Sequence, residues 1–280
     1  MPQILQYAAF TDRPDGGNPA GVVLDASGMD DARMLAVAAD LGYSESAFLL
    51  PRADGSLAIR YFSPRAEVPF CGHATIAAGA AWADEHGPKS ITLATSSGAV
   101  DVDLEMDDRG TRATLTSVAP HVQDLAAGDL DELLAALRWA ATDLAPGLPP
   151  RVAYAGASHP VLAAATPERL AELDYDYPRL AQLMAAREWT TVALVHRREA
   201  DTWEARNPFP PGGIVEDPAT GAAAAALGGY LREVGALEPP AAFTVLQGRH
   251  VGRPSRLDVE VPAERDAGIR VTGRAVRIPA

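Results

Sequence analysis

Two short stretches of this sequence place a carboxylate, a glycine and an alanine-rich segment at the same spacing. One runs from Glu67 to Gly72 and the other from Glu216 to Gly221, so each glutamate precedes its glycine by five residues. In both copies a second glycine follows seven residues later, at Gly79 and Gly228. Each copy predicts a polar turn that enters a helix, whose first turn offers unpaired backbone N–H groups to an anion. The pair therefore indicates a site for an anionic substrate.

Acid–base side chains accompany both stretches. His73 opens the first helix, where the dipole opposes a positive charge and should lower the pKa of the imidazole. A neutral imidazole can relay a proton near neutral pH, although it can equally bind a loop carbonyl. Asp217, followed by Pro218, either caps the second helix or belongs to the site. Glu45 lies between two serines before an apolar strand, and its spacing alone does not distinguish it from a solvated glutamate.

Cys71 is the single cysteine of the chain, which excludes an internal disulfide and a cysteine-based metal cluster. A thiol at a helix N-terminus can become a thiolate base, yet a buried inert thiol is the favoured interpretation. The matching position in the second copy is Thr220. A two-thiol racemase needs a thiol on each face of its substrate, so the single cysteine argues against that mechanism. No zinc, calcium or haem spacing is present, and we expect no metal.

A loop rich in glycine and basic residues, Gln247–Ser255, separates two predicted strands. Arg253 or the backbone N–H groups of this loop could hold a carboxylate, and a structural turn is the competing interpretation. The loop has neither the P-loop nor the dinucleotide-binding fingerprint, so no nucleotide cofactor is indicated.

The composition limits the class of protein. The 280 residues are 48% hydrophobic and 22% charged, which predicts a globular protein, more readily of two domains than one. No apolar run is long enough to span a membrane and no signal peptide is evident, so we expect a cytoplasmic protein without a membrane partner. The net charge of −13 argues against binding nucleic acid. We also expect a homodimer.

The predicted elements fall into two similar α+β halves joined near residues 118–123. Each half has several strands, one alanine-rich helix and then further strands. The two alanine-rich helices are predicted over residues 73–85 and 222–234, after a Pro/Gly stretch at 208–213 in the second case. A further helix is predicted to enter at Ser27, with Asp30 three residues later completing a helix-entry box, and to end at Gly42. Two more are predicted over 130–141 and 177–187. Residues 12–20 read as a loop. The predicted domains are 1–118, with 267–280 returning to it, and 119–266.

Six motifs in this order resemble the PhzF-like phenazine-biosynthesis family, and they cover almost the whole chain. They are Gly17–Gly21, Ser44–Ser46, Arg60–Pro64, Glu67–Thr75, Glu216–Gly221, and Gln247-Gly248 with Gly252–Ser255. The resemblance implies the diaminopimelate epimerase-like fold, in which two pseudo-symmetric halves each wrap a sheet around a central helix and the active site lies in the cleft between them.

The resemblance also implies an activity and a set of site residues. The characterised family enzyme isomerises a dihydro-hydroxyanthranilate without a cofactor. By similarity, Glu45 is the general acid/base, and His73 and Asp217 support it. Asn18 and Ser44, together with the backbone around Gly72, Gly221 and Ala222, would bind the substrate. A carboxylate base in a poorly solvated site can have a raised pKa, which suits proton transfer near neutrality.

The sequence departs from the family pattern in two places. Ala222 stands where the family often has a serine, so one hydroxyl contact to the substrate is missing. The approach to the second motif, residues 206–210, also differs from the usual Arg-x-Phe-x-Pro. Both differences concern substrate recognition, so the phenazine precursor itself does not follow from the resemblance.

Three functions are consistent with these residues. The leading one is a cofactor-independent isomerase that transfers a proton on a small carboxylate-bearing molecule. The second is an epimerase, racemase or dehydratase of amino or hydroxy acids in which Cys71 is the base and Thr220 replaces the second thiol. The third is a binding protein of the same fold without turnover, against which the joint presence of Glu45, His73 and Asp217 argues.

Overall fold

The computed structural model describes residues 2–96 and 98–279, which form two compact units. Unit 1 extends to Thr116 and resumes at Thr272, and unit 2 comprises Ser117–Val271. In chain order the α-helices are α1 (Asp31–Leu41), α2 (Gly72–His86), α3 (Ala127–Leu137), α4 (Pro167–Ala171), α5 (Tyr177–Arg187) and α6 (Gly221–Glu233). No helix in these residues has the length and hydropathy needed to cross a bilayer.

The strands complete an α+β fold. In chain order they are β1 (Leu5–Ala9), β2 (Asn18–Val23), β3 (Glu45–Pro51), β4 (Leu57–Phe62), β5 (Glu67–Val68), β6 (Ile91–Thr95), β7 (Gly98–Asp107), β8 (Gly110–Thr116), β9 (His121–Asp124), β10 (Arg151–Tyr154), β11 (Ser158–Ala163), β12 (Ala193–Glu199), β13 (Thr202–Pro208), β14 (Glu216–Asp217), β15 (Ala241–Gln247), β16 (Ser255–Val261) and β17 (Arg270–Arg277).

The two units share one order of strand pairing. In unit 1, β1 to β4 pair in succession, and β4 also pairs with β6, which pairs with β7. In unit 2, β10 to β13 pair in succession, and β13 also pairs with β15, which pairs with β16. The alternation of antiparallel and parallel pairs is the same in both. The short strands β5 and β14 occupy equivalent places, each paired with the strand before it.

One buried helix packs against the sheet of each unit. Helix α2 contacts β1, β2, β3, β7 and β8, and α6 contacts β9, β10, β11 and β16. A Cβ added to Gly79 would lie 3.0 Å from Leu104 Cδ2 on β7, and one added to Gly228 would lie 3.1 Å from Val261 Cγ2 on β16. The repeated glycine therefore lets each helix approach its sheet closely.

Several predicted boundaries agree with the structure. Gly42 ends α1 as predicted, in the left-handed region with φ 69°. The start differs, because Asp30 rather than Ser27 is the N-cap and accepts a hydrogen bond from the N–H of Arg33. Helix α5 has the predicted bounds, and α2 and α6 begin within one residue of prediction. Helix α3 instead ends at Leu137, because Arg138 adopts φ 58° and breaks the hydrogen-bonding pattern.

Several segments differ from the sequence prediction, among them the short helix α4 and three strand segments. Residues 18–20, predicted as loop, begin β2 and pair with β1. Strand β9 overlaps the predicted junction of the two halves. Strand β13 was not predicted because its buried positions include Arg206 and Asn207. These polar side chains are buried with hydrogen-bonding partners, which a hydrophobic pattern does not reveal.

Candidate functional site

Unit 1 brings three side chains with acid–base or nucleophilic chemistry into contact. Glu45 is the first residue of β3, Cys71 is the N-cap of α2, and His73 lies in the first turn of that helix. The Cys71 thiol lies 3.7 Å from Glu45 Oε2 and 3.3 Å from His73 Nδ1. His73 Nε2 lies 3.6 Å from the same carboxylate oxygen. We call these three residues the acid–base cluster.

Burial sets the protonation behaviour of the acid–base cluster. Glu45 is 8% exposed and His73 is 5% exposed. Desolvation raises the pKa of Glu45, against the opposing hydrogen bonds from Ser44 and Cys71. Desolvation also lowers the pKa of His73 to about 3. The direction for His73 agrees with the sequence expectation, but the cause is burial rather than the helix dipole. The site therefore combines a neutral imidazole with a carboxyl group that holds its proton more firmly than an exposed one.

The depressed pKa of His73 makes stability depend on pH. The unfolded chain takes up a proton on this imidazole near pH 6.5, whereas the folded protein does so only near pH 3. We therefore expect the free energy of unfolding to fall as the pH drops through this interval, by roughly 4–5 kcal/mol in total. Urea unfolding at a series of pH values measures this slope, which His73→Gln should reduce.

His86 provides the matched control for that experiment, since it is exposed in the last turn of the same helix. His86→Gln should leave the acid slope unchanged. Some slope should persist in both variants, because burial also lowers the pKa of His159 in unit 2 to about 4. If His73→Gln left the pH dependence of the free energy of unfolding unaltered, His73 would not be its source.

The other predicted site residues of unit 1 lie on neighbouring elements. The hydroxyl of Ser44, just before β3, lies 3.4 Å from His73 Nε2. Asn18 begins β2, the strand parallel to β3, and is 1% exposed. Gly72 is the first residue of α2 and is partly exposed. The chain thus positions Ser44 directly against the acid–base cluster and Asn18 on the adjacent strand.

The predicted site residues of unit 2 surround the start of α6. Asp217 lies in β14, is 4% exposed and accepts a 2.6 Å hydrogen bond from the Thr220 hydroxyl. Gly221 begins α6 and is buried, whereas Ala222 in the same turn is partly exposed. Thr220, the counterpart of Cys71, therefore has its hydroxyl engaged by a carboxylate.

Gln247 holds this turn in place, a role that sequence reasoning did not identify. Its amide nitrogen donates to the Asp217 carbonyl at 2.7 Å, and its oxygen accepts from the Thr220 N–H at 3.2 Å. Gly248 follows with φ 75°, and a Cβ there would lie 2.5 Å from the Pro218 carbonyl oxygen. The Gln-Gly pair at the end of a strand was the available signal, and its function is to support the Asp217 turn.

Neither central helix has a side-chain cap at its N-terminus. Cys71 and Thr220 occupy the cap positions without accepting a capping hydrogen bond from the first turn. Neither first turn contains an acidic residue. The positive end of each helix dipole is therefore not neutralised by its own first turn, which suits binding of a carboxylate or stabilisation of a developing anion.

The two motif glutamates are partners of arginines. Arg206 on β13 donates to both oxygens of Glu216, and Arg60 on β4 makes the equivalent bidentate pair with Glu67. Arg60 also pairs with Asp31. Each pair links the strand before the motif to the strand that leads into the helix. The repeated glutamates thus fix the turns structurally and are not part of the acid–base cluster.

Comparison with known proteins gives a consistent family signal. A family model described as "Phenazine biosynthesis-like protein" (PhzC-PhzF) matches residues 7–279. The chain is 33% identical to a protein named "Uncharacterized isomerase YddE" from Salmonella typhimurium, over 98% of this chain and 96% of the relative. It is 31% identical to trans-2,3-dihydro-3-hydroxyanthranilate isomerase from Pseudomonas fluorescens, over 96% of this chain and 94% of the relative.

A solved structure shares the fold. It is described as a predicted epimerase from Pseudomonas aeruginosa, and it superposes with a TM-score of 0.86 at 32% identity. The match covers 100% of this chain and 98% of that chain. The α+β arrangement described above is therefore found in an experimental structure of a related protein.

Proposed function

The chain belongs to the phenazine biosynthesis-like (PhzC-PhzF) family, and from this premise we propose that it is a cofactor-independent isomerase. It moves a proton between two carbons of a small carboxylate-bearing molecule. The observation that carries the proposal is the buried Glu45 carboxyl in contact with a neutral His73. A general base with a raised pKa is suited to take and return a proton near neutral pH.

The proposed reaction needs no external reactant. The Glu45 carboxylate removes a proton from one carbon, and the electron pair left behind moves into the adjacent unsaturated system. The resulting anion is stabilised by backbone N–H groups at a helix N-terminus and by a neutral imidazole. The Glu45 carboxylic acid then returns the proton to another carbon, so the product is an isomer of the substrate.

We assign the remaining site residues the roles that the family resemblance implies. Asp217 supports the acid–base chemistry, while Asn18, Ser44 and the backbone of Gly72, Gly221 and Ala222 bind the substrate. Two observations support these assignments. Asp217 is buried and accepts a hydrogen bond from the Thr220 hydroxyl. Ala222 is partly exposed in a first turn that has no side-chain cap. The missing hydroxyl at Ala222 favours a substrate other than that of the phenazine pathway.

We further propose the finer features of the fold that the resemblance implies. Each unit is a diaminopimelate epimerase-like half in which the sheet wraps around its central helix. The shared pairing order and the equivalent glycines Gly79 and Gly228 support this. So does the pairing of β17 with both β1 and β8. The halves proposed from the sequence are 1–118 with 267–280, and 119–266, and their bounds lie two to five residues from those of the two compact units. The cytoplasmic location and the homodimer both stay predictions. Light scattering on the purified protein would test the homodimer.

A second candidate function is an epimerase that uses Cys71. The 3.3 Å contact between the thiol and His73 Nδ1 favours it, because an imidazole can take the proton of a thiol. The counterpart Thr220 donates its hydroxyl to Asp217 and is not a comparable base. Only one thiol is therefore available, and the carboxylate mechanism remains the better supported.

A proton–deuterium exchange screen tests the proposed function. Small carboxylic acids, including trans-2,3-dihydro-3-hydroxyanthranilate, are incubated with the protein in D2O and analysed by NMR. We expect deuterium at carbon in at least one compound, together with conversion to an isomer. Exchange at a single stereocentre with inversion, and no shift of a double bond, would favour the epimerase.

A further inference from the structure

The acid–base cluster also has the composition of a metal site. We infer that Glu45, Cys71 and His73 form a Zn²⁺ capture site and that Zn²⁺ reversibly inhibits the enzyme. Nothing in the proposed reaction requires a metal ion, so the inference concerns a second ligand for the same side chains. It rests on the geometry and chemistry of the three donors.

The separations of the donor atoms fit a zinc ion. Sγ, Nε2 and Oε2 form a triangle with edges of 3.6 Å (Nε2–Oε2), 3.7 Å (Sγ–Oε2) and 3.9 Å (Sγ–Nε2). Zinc bonds of roughly 2.0–2.3 Å at tetrahedral angles place neighbouring donor atoms roughly 3.4–3.6 Å apart. Shifts of a few tenths of an ångström would therefore suffice to coordinate the ion.

The type of donor selects the metal. A thiolate, an imidazole and a carboxylate are a set that suits Zn²⁺, whereas Mg²⁺ and Ca²⁺ require mostly oxygen ligands. Coordination removes the proton of the thiol. The two negative charges of thiolate and carboxylate then balance the charge of the ion. A neutral assembly of this kind avoids leaving an uncompensated charge in a buried site.

Capture of the ion would block the proposed chemistry. The Glu45 oxygen nearest to both Cys71 and His73 would become a zinc ligand, so it could no longer accept a proton from carbon. The three side chains are each at most 8% exposed, so they are held in place before the ion arrives. Three protein ligands leave a fourth position for water or for the carboxylate of a substrate.

Cobalt substitution tests the site without reference to turnover. Co²⁺ is titrated into the metal-free protein, and the absorption spectrum is recorded. We expect one equivalent to give a thiolate-to-cobalt charge-transfer band and the visible bands of a tetrahedral ion, and stoichiometric Zn²⁺ to abolish them. Mg²⁺ should not. Absence of the charge-transfer band in the wild-type protein would overturn the inference.

Two variants and one control assign the ligands. Cys71→Ala should abolish the charge-transfer band. Glu45→Gln should weaken Zn²⁺ binding by at least about tenfold. Either variant suffices if the other fails to fold, as judged by circular dichroism. His250→Ala is the control, since His250 lies 3.5 Å from Glu204 in unit 2 and should not affect the spectrum. An unchanged affinity in folded Glu45→Gln would overturn the assignment.

Inhibition is measured separately from binding. Zn²⁺ should stop deuterium exchange at one equivalent, and a chelator should restore it. Full exchange activity with zinc bound at the cluster would overturn the inhibitory role. A protein that binds Co²⁺ as expected but exchanges no substrate would contradict the proposed isomerase function and leave the zinc site intact. Failure of the proposed function and failure of the zinc site are therefore distinguishable.

Discussion

Glu45→Gln lowers the rate of proton transfer by about 10²–10⁴-fold and leaves the protein folded, because glutamine keeps the shape of the side chain but cannot accept a proton from carbon. The carboxyl is buried and desolvation raises its pKa, so the substitution removes a charge that burial already disfavours. Thermal unfolding should therefore be little changed. The rate is measured as deuterium incorporation into a substrate that the wild-type protein exchanges.

Glu67→Gln is the matched control for activity. Glu67 belongs to the same unit and pairs with Arg60 on the surface, outside the acid–base cluster. We expect its rate to equal that of the wild-type protein. If Glu45→Gln retained more than about one-tenth of the wild-type rate, the single-base mechanism would be wrong, since loss of a general base has a larger effect.

The second large effect concerns the stability of the duplicated motif. Glu216→Gln should lower the free energy of unfolding by about 3–5 kcal/mol, because it leaves the Arg206 guanidinium buried without its counter-charge. The side chains of this pair are 9% and 1% exposed. Urea unfolding monitored by fluorescence provides the measurement.

The equivalent substitution in unit 1 should behave differently. The side chains of Arg60 and Glu67 are 27% and 40% exposed, and Arg60 keeps Asp31 as a partner. Glu67→Gln should therefore change the free energy of unfolding by at most about 1 kcal/mol. Replacing both Arg206 and Glu216 by leucine should recover much of the loss. Equal losses in Glu216→Gln and Glu67→Gln would show that burial does not govern these pairs.

Local sequence signals predicted each described α-helix except the short α4. Asp30 and Gly42 define α1 by capping chemistry, and the alanine-rich segments became the two buried central helices. These features depend on residues close together in the chain. Strand β13 escaped prediction because its burial depends on ion pairing with Glu216, which lies on another strand.

The acid–base cluster is assembled by contacts between residues far apart in the sequence, which local patterns do not reveal. Glu45 and Cys71 are separated by 26 residues, and contact between β3 and α2 brings them together. Spacing alone did not single out Glu45, which was identified by resemblance to the family. The same limit applies to the metal chemistry, since three donors on two elements carry no spacing signature. The motif glutamates were visible as a repeat, but their arginine partners required the pairing of strands.

The central claim is that the base is the carboxylate of Glu45 and not the thiol of Cys71. Comparing the deuterium exchange rates of Cys71→Ala and Glu45→Gln tests it most directly. Both variants are assayed on one substrate in D2O at equal concentration. We predict that Cys71→Ala keeps at least about one-tenth of the wild-type exchange rate, while Glu45→Gln loses about 10²–10⁴-fold. Loss of exchange in Cys71→Ala, with a near wild-type rate in Glu45→Gln, would contradict the account and assign the base to the thiol.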